Sequence, residues 1–374
     1  MRLVLSVEAL MPELTGIGRY TWQLASGMPA RLAPGAVRFY RAGAWVRNPA
    51  ALLAPGRTGL PLQLWRRAAN RLNAAAVRRQ LGCCLFHGPN YFIPEGVEAG
   101  IATVHDLSVL RFPETHPPER VRHFARDLES SIARAAHLIT DSETVRREVI
   151  DEWGWPAARV TSIALGVGAQ FAPMEPGRLR ESLDTLRLAP GGYALCVATL
   201  EPRKRIDALL AAYGCLAPAL RERFPLVLAG GRGWRNEALR SEIERARAAG
   251  WLRHLGFVPE AQLPALVAGA RAFAFPSAYE GFGLPVLEAF ASGVPVVTSN
   301  RSCLPELAGD AALMVDPDDT DALAEAIARA LQDEPWREAA RVRGLAIAAR
   351  HSWAECLDRT AALYEAVARE NGFA

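Results

Sequence analysis

A chain of 374 residues, 50% hydrophobic and 22% charged, carries enough apolar surface for two cores of ordinary size, so two domains are expected. A formal net charge of +3 is small for that length; it argues against a nucleic-acid binder and leaves any electrostatic argument to local clusters. Cys83, Cys84, Cys196, Cys215, Cys303 and Cys356 show neither CxxC nor Cys/His ligand spacing, so they read as buried thiols of a cytoplasmic protein rather than as a metal or disulfide framework.

The opening MRLVLSV is too short for a secretory h-region, and no later run of about 18 uncharged apolar residues predicts a membrane span. From there short apolar runs alternate with segments of helical period: RLVLSVE before 16–28, IATVHD before 118–136, HLITDS before 143–153. That rhythm predicts βαβ units and a parallel sheet. Between the first two pairs, residues 57–80 carry Arg57, Arg66, Arg67, Arg71, Arg78 and Arg79 without an acid, interleaved with Leu60, Leu62, Leu64, Trp65 and Leu72. Such a stretch suits peripheral contact with anionic lipid, and equally a basic helix packing Trp65 and its leucines inward.

Periodicity weakens around 166–190 and then restarts, with GYALCVATL, FPLVLAGG, RAFAFPS, VPVVTSN and AALMVDP as strand candidates. A boundary near 170 follows: a first α/β domain over 1–170, a second over 171–351, and a terminal helix within 352–374. In that helix Trp353, Cys356, Leu357, Leu363, Tyr364 and Val367 gather toward one face, so it could cross back to either domain.

The chemistry concentrates in 276–300, PSAYEGFGLPVLEAFASGVPVVTSN, which reads as strand end, glycine loop, helix and next strand. Gly281 and Gly283 let backbone approach a ligand, Pro285 suits a first helical turn, and the amides of Phe282, Gly283 and Leu284 would face an anion or a sugar oxygen at the helix N-terminus. Glu280 and Glu288 flank that turn, so both carboxylates can serve one crevice at the carboxyl edge of the sheet. A lone pair of this kind would more often be a helix cap and a solvated residue; the surrounding pattern reverses the preference.

Glu280-Gly-Phe-Gly-Leu-Pro-Val-Leu-Glu288 followed by Ala-Ser-Gly-Val-Pro-Val resembles glycosyltransferase family 4, as do VATLEPRKR (197–205), HLGFVPEAQLPALVAGA (254–270), TGIGRY (15–20) and VHDLSVLRFPE (104–114), in the same order along nearly the whole chain. The resemblance implies a GT-B fold of two facing Rossmann-like domains, the donor held mainly by the second, and transfer of a hexose with retention. By position, Glu280 would hold hydroxyls of the donor sugar, Glu288 the ribose, Lys204 the diphosphate with Arg203 as second cation, and the backbone near Phe257 and Val258 the base. Gly16 and Gly18 would approach the donor phosphates or the acceptor from the loop after the first strand, and His105, with Asp106 beside it, would support catalysis by hydrogen-bonding a sugar hydroxyl. Arg203 and Lys204 also make sense unaided: they follow a strand and precede a helix, where charge and helix dipole converge on a diphosphate.

Two tempting motifs are discounted. Asp316-Pro-Asp318-Asp319 has DxD spacing, but it precedes an amphipathic helix and suits capping, so no metal is expected. Gly230-Gly-Arg-Gly233 lacks the Lys-Ser/Thr of a P-loop and reads as a turn lining the cleft. The combination looks closest to bacterial mannosyltransferases of polysaccharide assembly. GDP-mannose is then the expected co-substrate, with no other cofactor, and a saccharide or lipid-linked saccharide the acceptor. Three alternatives stay open: a UDP-sugar-dependent transferase, a sugar-nucleotide epimerase of the same architecture, and a catalytically silent scaffold.

Overall fold

The computed structural model describes residues 1–54, 77, 79–97, 99–231, 233–234 and 236–373. The 57–80 stretch proposed for membrane contact lies outside these residues except at 77, 79 and 80. No helix among the described residues is long and apolar enough to cross a membrane. Cys84, Cys196, Cys303 and Cys356 are buried and Cys83 and Cys215 exposed, all six as free thiols.

The chain forms two compact units. One combines Met1–Leu107, Arg122–Gly166 and Trp353–Ala374; the other combines Ser108–Val121 with Val167–Ser352. The sequence assigns all of 1–170 to the first domain, whereas residues 108–121 belong structurally with the second unit. The reason is aromatic: Trp234 Nε1 donates to the Thr115 carbonyl at 2.7 Å, the Trp234 ring lies against His116 at 6.0 Å, and Phe112 packs on Tyr279 at 5.1 Å.

The described strands of the first unit are β1 (Leu3–Ser6), β2 (Val37–Arg41), β3 (Ala44–Val46), β4 (Leu85–Gly88), β5 (Gly100–Val104), β6 (Ala135–Thr140) and β7 (Val160–Ser162). They form one sheet in the order β3-β2-β1-β4-β5-β6-β7. All neighbours run parallel except β2 and β3, an edge hairpin turned by Ala42 and Gly43, both at positive φ (+49° and +89°) as a primed turn requires. Strands β1 and β5 are buried along their length, which is why they read as apolar runs, whereas β4, LFHG, is equally buried but is broken by His87 and is not among the strand candidates. By contrast β2, VRFYR, and the three-residue β7 lack such a run and give no strand signal.

The helix Trp353–Glu370 belongs to this unit and packs against Gly16–Gly27. Cys356, Leu357, Tyr364 and Val367 are buried, with Trp353 and Leu363 half-buried, as the periodicity predicts. Gly27 permits the close approach, since a Cβ there would lie 2.4 Å from Leu357 Cδ1. Beneath the helix, the Tyr364 hydroxyl hydrogen-bonds His87 Nδ1, and His87 Nε2 reaches Thr103 Oγ1 at 2.8 Å. Burial holds the His87 pKa down at about 3, so the ring is neutral at ordinary pH.

The second unit has β8 (Ala194–Val197), β9 (Leu226–Ala229), β10 (Leu252–Gly256), β11 (Ala272–Phe275), β12 (Val296–Ser299) and β13 (Ala312–Val315), all parallel in the order β10-β9-β8-β11-β12-β13. This is the doubly wound order, in which the chain reverses direction of travel between β8 and β11. One face is sealed by Leu209, Tyr213, Ile243, Leu323 and Ile327 over Leu226 and Leu228. On the helix Leu284–Ala291, Phe290 meets Gly344 of Glu334–Ala348, where a Cβ would lie 2.7 Å from the ring.

Candidate functional site

The carboxyl ends of β8 and β11 lie side by side at the switch point, and each opens into a loop carrying predicted residues. After β8 come residues 198–201, a single turn at Pro202–Lys204, and Arg205, whose left-handed φ of +50° starts the helix Ile206–Gly214. This loop is held by backbone. Leu200 N donates to Gly231 O at 3.1 Å and Asn236 Nδ2 to Leu200 O at 2.7 Å. A Cβ at Gly230 would lie 1.9 Å from Ala198 O and one at Gly233 2.0 Å from Leu200 O, so both glycines are required by that contact.

Arg203 and Lys204 converge on Glu280, which lies 76 residues beyond Lys204 in sequence. Lys204 Nζ donates to Glu280 Oε1 at 2.5 Å, and Arg203 NH1 lies 3.6 Å from Glu280 Oε2. Glu201 completes the group at 3.2 Å from Arg203 NH2 and 3.8 Å from Lys204 Nζ. Side-chain exposures are 4% for Glu201 and 11% for the other three, so the four charges interact in a medium that screens them poorly. Burial pushes the Glu280 pKa up, but Lys204 and Arg203 outweigh it and hold the carboxyl below its ordinary value. Arg203 NH1 also donates to the Tyr279 carbonyl at 2.6 Å, and Arg203 O accepts from Ala278 N at 2.9 Å, locking one loop to the other.

The backbone of Glu280 is pinned by a turn the sequence does not single out. Ser302 Oγ donates to Glu280 O at 2.5 Å and accepts from Glu280 N at 3.2 Å, while Cys303 Sγ donates to the same carbonyl at 3.1 Å. Ser302 adopts φ +58°, uncommon for a residue with a side chain. Gly283 caps the helix Leu284–Ala291 at φ +98°, with Pro285 in its first turn. Its carbonyl accepts from Val286 and Leu287 N, and the amides before them belong to the helix end that lacks intrahelical partners. Phe282 is buried with its ring against His351 at 5.8 Å, and Glu288 is buried in the second helical turn. Phe257, just past β10, is an exposed large hydrophobic with Val258 beside it.

A cavity of about 360 Å³ adjoins the charged group, lined by Glu201, Arg203, Asn236, Tyr279, Phe112 and Thr115 among others. The acidic turn is engaged elsewhere. Asp318 pairs with Arg205 and Arg301, Asp316 with Arg301 at 2.5 Å, and Asp319 caps Thr320–Gln332 by accepting from Ala322 N at 2.9 Å. No group of three or more potential metal-ligating side chains occurs among the described residues.

His105, Gly16 and Gly18 lie in the first unit. His105 is buried with both ring nitrogens engaged: Nδ1 with Asp141 Oδ2 at 2.6 Å and Nε2 with Pro89 O at 2.7 Å. Its carboxylate partner is thus Asp141, at the end of β6, whereas its sequence neighbour Asp106 meets the Tyr91 hydroxyl. Burial lowers the His105 pKa, yet Asp141 and the Pro89 carbonyl raise it above the ordinary value, as expected of a ring that donates twice. Gly16 and Gly18 form the first turn of Gly16–Gly27 rather than a free loop, with Thr15 Oγ1 accepting from Gly18 N at 3.3 Å. The crevice of this unit, about 690 Å³, opens at the carboxyl ends of β1, β2 and β4 between Glu8, Tyr40, Asn90, Phe92, His123 and Asp127.

Residues 189–345 match the family model for glycosyl transferases group 1. O-antigen chain mannosyltransferase B of Escherichia coli is 38% identical over 380 aligned residues, covering 98% of this chain and all of that protein. Among solved structures, the crystal structure of Anabaena Alr3699/HepE in complex with UDP and glucose superposes with a TM-score of 0.72 over 98% of this chain and 100% of its own, at 18% identity. WaaG, a glycosyltransferase involved in lipopolysaccharide biosynthesis, does so with a TM-score of 0.69 over 97% and 99%, at 15% identity. At those identities the superpositions speak for the GT-B fold alone.

Proposed function

The chain belongs to the group 1 glycosyl transferases, and from that premise we propose that it moves a mannosyl residue from GDP-mannose to a saccharide acceptor in bacterial polysaccharide synthesis, with retention at the anomeric carbon. The observation that carries the reading is the convergence of Arg203, Lys204 and Glu280 at the switch point of the second sheet, beside the Gly283-capped helix. Two cations and the start of a helix offer positive potential to a diphosphate, and the adjacent buried carboxylate offers paired acceptors for sugar hydroxyls. The mannosyltransferase relative supports the choice of sugar.

In this reading the bond to the leaving phosphate lengthens while Lys204 and Arg203 stabilise the charge that builds on it. Glu280 and Glu288 orient the sugar and the ribose, and the departing phosphate takes the acceptor's proton on the face from which it leaves. The enzyme contributes position and fixed charge. The crevice of the first unit supports an acceptor site of saccharide chemistry, since the apolar face of Phe92 stands with the hydrogen-bonding Asn90, His123 and Asp127.

A thermal-shift titration with GDP-mannose, GDP, UDP-glucose and UDP, run with wild type and Glu288→Ala, tests the reading. Stabilisation by the guanine ligands that weakens in the variant is expected. A uridine preference would replace the donor, and no shift with any ligand would sink the donor site itself.

A further inference from the structure

The Lys204–Glu280 ion pair occupies, in each other, the two groups that a donor has to engage. Nζ and Oε1 are 2.5 Å apart, and both cations also reach Glu201, at 3.2 Å from Arg203 and 3.8 Å from Lys204. Two carboxylates and two cations therefore balance inside a nearly solvent-free pocket. With its backbone clamped by Ser302 and Cys303, Glu280 can change partners by rotating its side chain while its Cα stays in place. Glu201 is then the carboxylate that keeps Arg203 and Lys204 seated when Glu280 leaves them.

Resting on the donor reading above, we infer that this pair is an exchange device that favours intact nucleotide sugar over spent nucleoside diphosphate. The intact donor satisfies both halves: phosphate oxygens accept from the Lys204 ammonium, and sugar hydroxyls donate to the released carboxylate. The spent nucleotide brings phosphates alone. To take Lys204 it must leave a buried carboxylate short of its cation, an expensive state that a proton from solvent relieves. The groups facing Glu280 are Lys204, Arg203 and Glu201 from the turn after β8, Ser277 from the end of β11, and Ser302 and Cys303 after β12, with exposed Glu306 beyond. Burial and then Glu280 itself push the Cys303 thiol up, so it stays neutral, and Glu280 is the group left to take the proton. The device would limit product inhibition in an enzyme whose two nucleotide ligands share every contact except those to the sugar.

Calorimetric binding of GDP and of GDP-mannose to the full chain, as wild type and Glu280→Gln, at pH 7 in two buffers of different ionisation enthalpy, tests this. The inference expects opposite shifts: Glu280→Gln binds GDP about threefold tighter or more, because no charge is stranded, and binds GDP-mannose about tenfold weaker. Wild type should take up more protons than the variant on binding GDP, a difference that cancels protons belonging to the nucleotide. Should the variant fail to fold, wild-type uptake with GDP is set against that with GDP-mannose after subtracting the proton that the free GDP phosphate itself carries at pH 7. Weakening of both ligands alike, or equal proton uptake by wild type and variant on binding GDP, overturns the inference and leaves the donor site standing. Wild type that binds neither ligand, nor UDP or UDP-glucose run beside them, overturns the donor reading along with it.

Discussion

At the scale of single residues, Lys204 stands where position and charge count for most. Its side chain is 11% exposed, with carboxylates at 2.5 and 3.8 Å from the ammonium, and the Phe275 ring lies 5.5 Å away. An isolated basic cluster in a sequence is usually a solvated turn, and Arg203-Lys204-Arg205 would have earned that reading alone. The structure separates the three: Arg203 and Lys204 turn inward to Glu280, while Arg205 pairs with Asp207 and Asp318. Replacing Lys204 by Met keeps the length and apolar stem but removes the charge that the proposed mechanism sets against the leaving phosphate. The kcat/KM for GDP-mannose should fall by about 100-fold or more, with Arg205→Met much milder because its charge is spent on the acidic turn. Equal losses from the two variants in steady-state assays would assign the effect to the loop as a whole.

At the scale of elements, what was legible followed from periodicity and glycine chemistry. Buried strands such as β1, β5 and β11, the helix after Gly283 and the inward face of Trp353–Glu370 announce themselves in runs of residue type. Features that depend on long-range partners did not: Trp234 and Thr115 meet across 119 positions, and Ser302 gains meaning through the Glu280 backbone 22 positions away. Asp141, 36 positions from His105, is likewise its carboxylate partner, while the backbone of the adjacent Asp106 is engaged by the Tyr91 hydroxyl. The terminal helix yields a pH prediction of its own, since Tyr364 closes over the neutral His87. The folded pKa of His87 is about 3 against an ordinary 6.5. Below pH 6.5 the unfolded chain binds a proton that the folded one refuses, so this stability is full above 6.5 and drains away toward pH 3. The slope is about 1.4 kcal/mol per pH unit. His105 is shifted upward instead, so its contribution is lost on the alkaline side and does not overlap. Urea unfolding of wild type and His87→Gln should show wild type losing its advantage by about 2 kcal/mol between pH 6.5 and 5. Parallel curves would mean that the imidazole titrates normally in the folded state.

At the scale of the whole molecule, a net charge of +3 conceals how the charges are allotted. Local groups decide the chemistry. The acidic turn has the spacing other enzymes use for a divalent ion, but its carboxylates hold Arg301 and Arg205 and start the helix Thr320–Gln332. Those contacts pull Asp316 and Asp318 below the ordinary carboxylate range: a backbone amide leads for Asp316 and Arg205 for Asp318, with Arg301 second for both. A metal recruited there would have to displace guanidinium groups that also steady the left-handed Arg205 and, through it, the turn bearing Lys204. In the proposed donor site the positive charge for the leaving diphosphate would instead come from Arg203, Lys204 and the first turn of Leu284–Ala291. Transfer from GDP-mannose should therefore proceed at the same rate, within about twofold, in excess chelator and in millimolar magnesium or manganese. Asp318→Asn should lower the urea midpoint by loosening Arg205 without creating a metal requirement. Activity that collapses in chelator and returns with one divalent ion would show that the charge on the leaving group comes from a metal, and would demote the two cations to positioning groups.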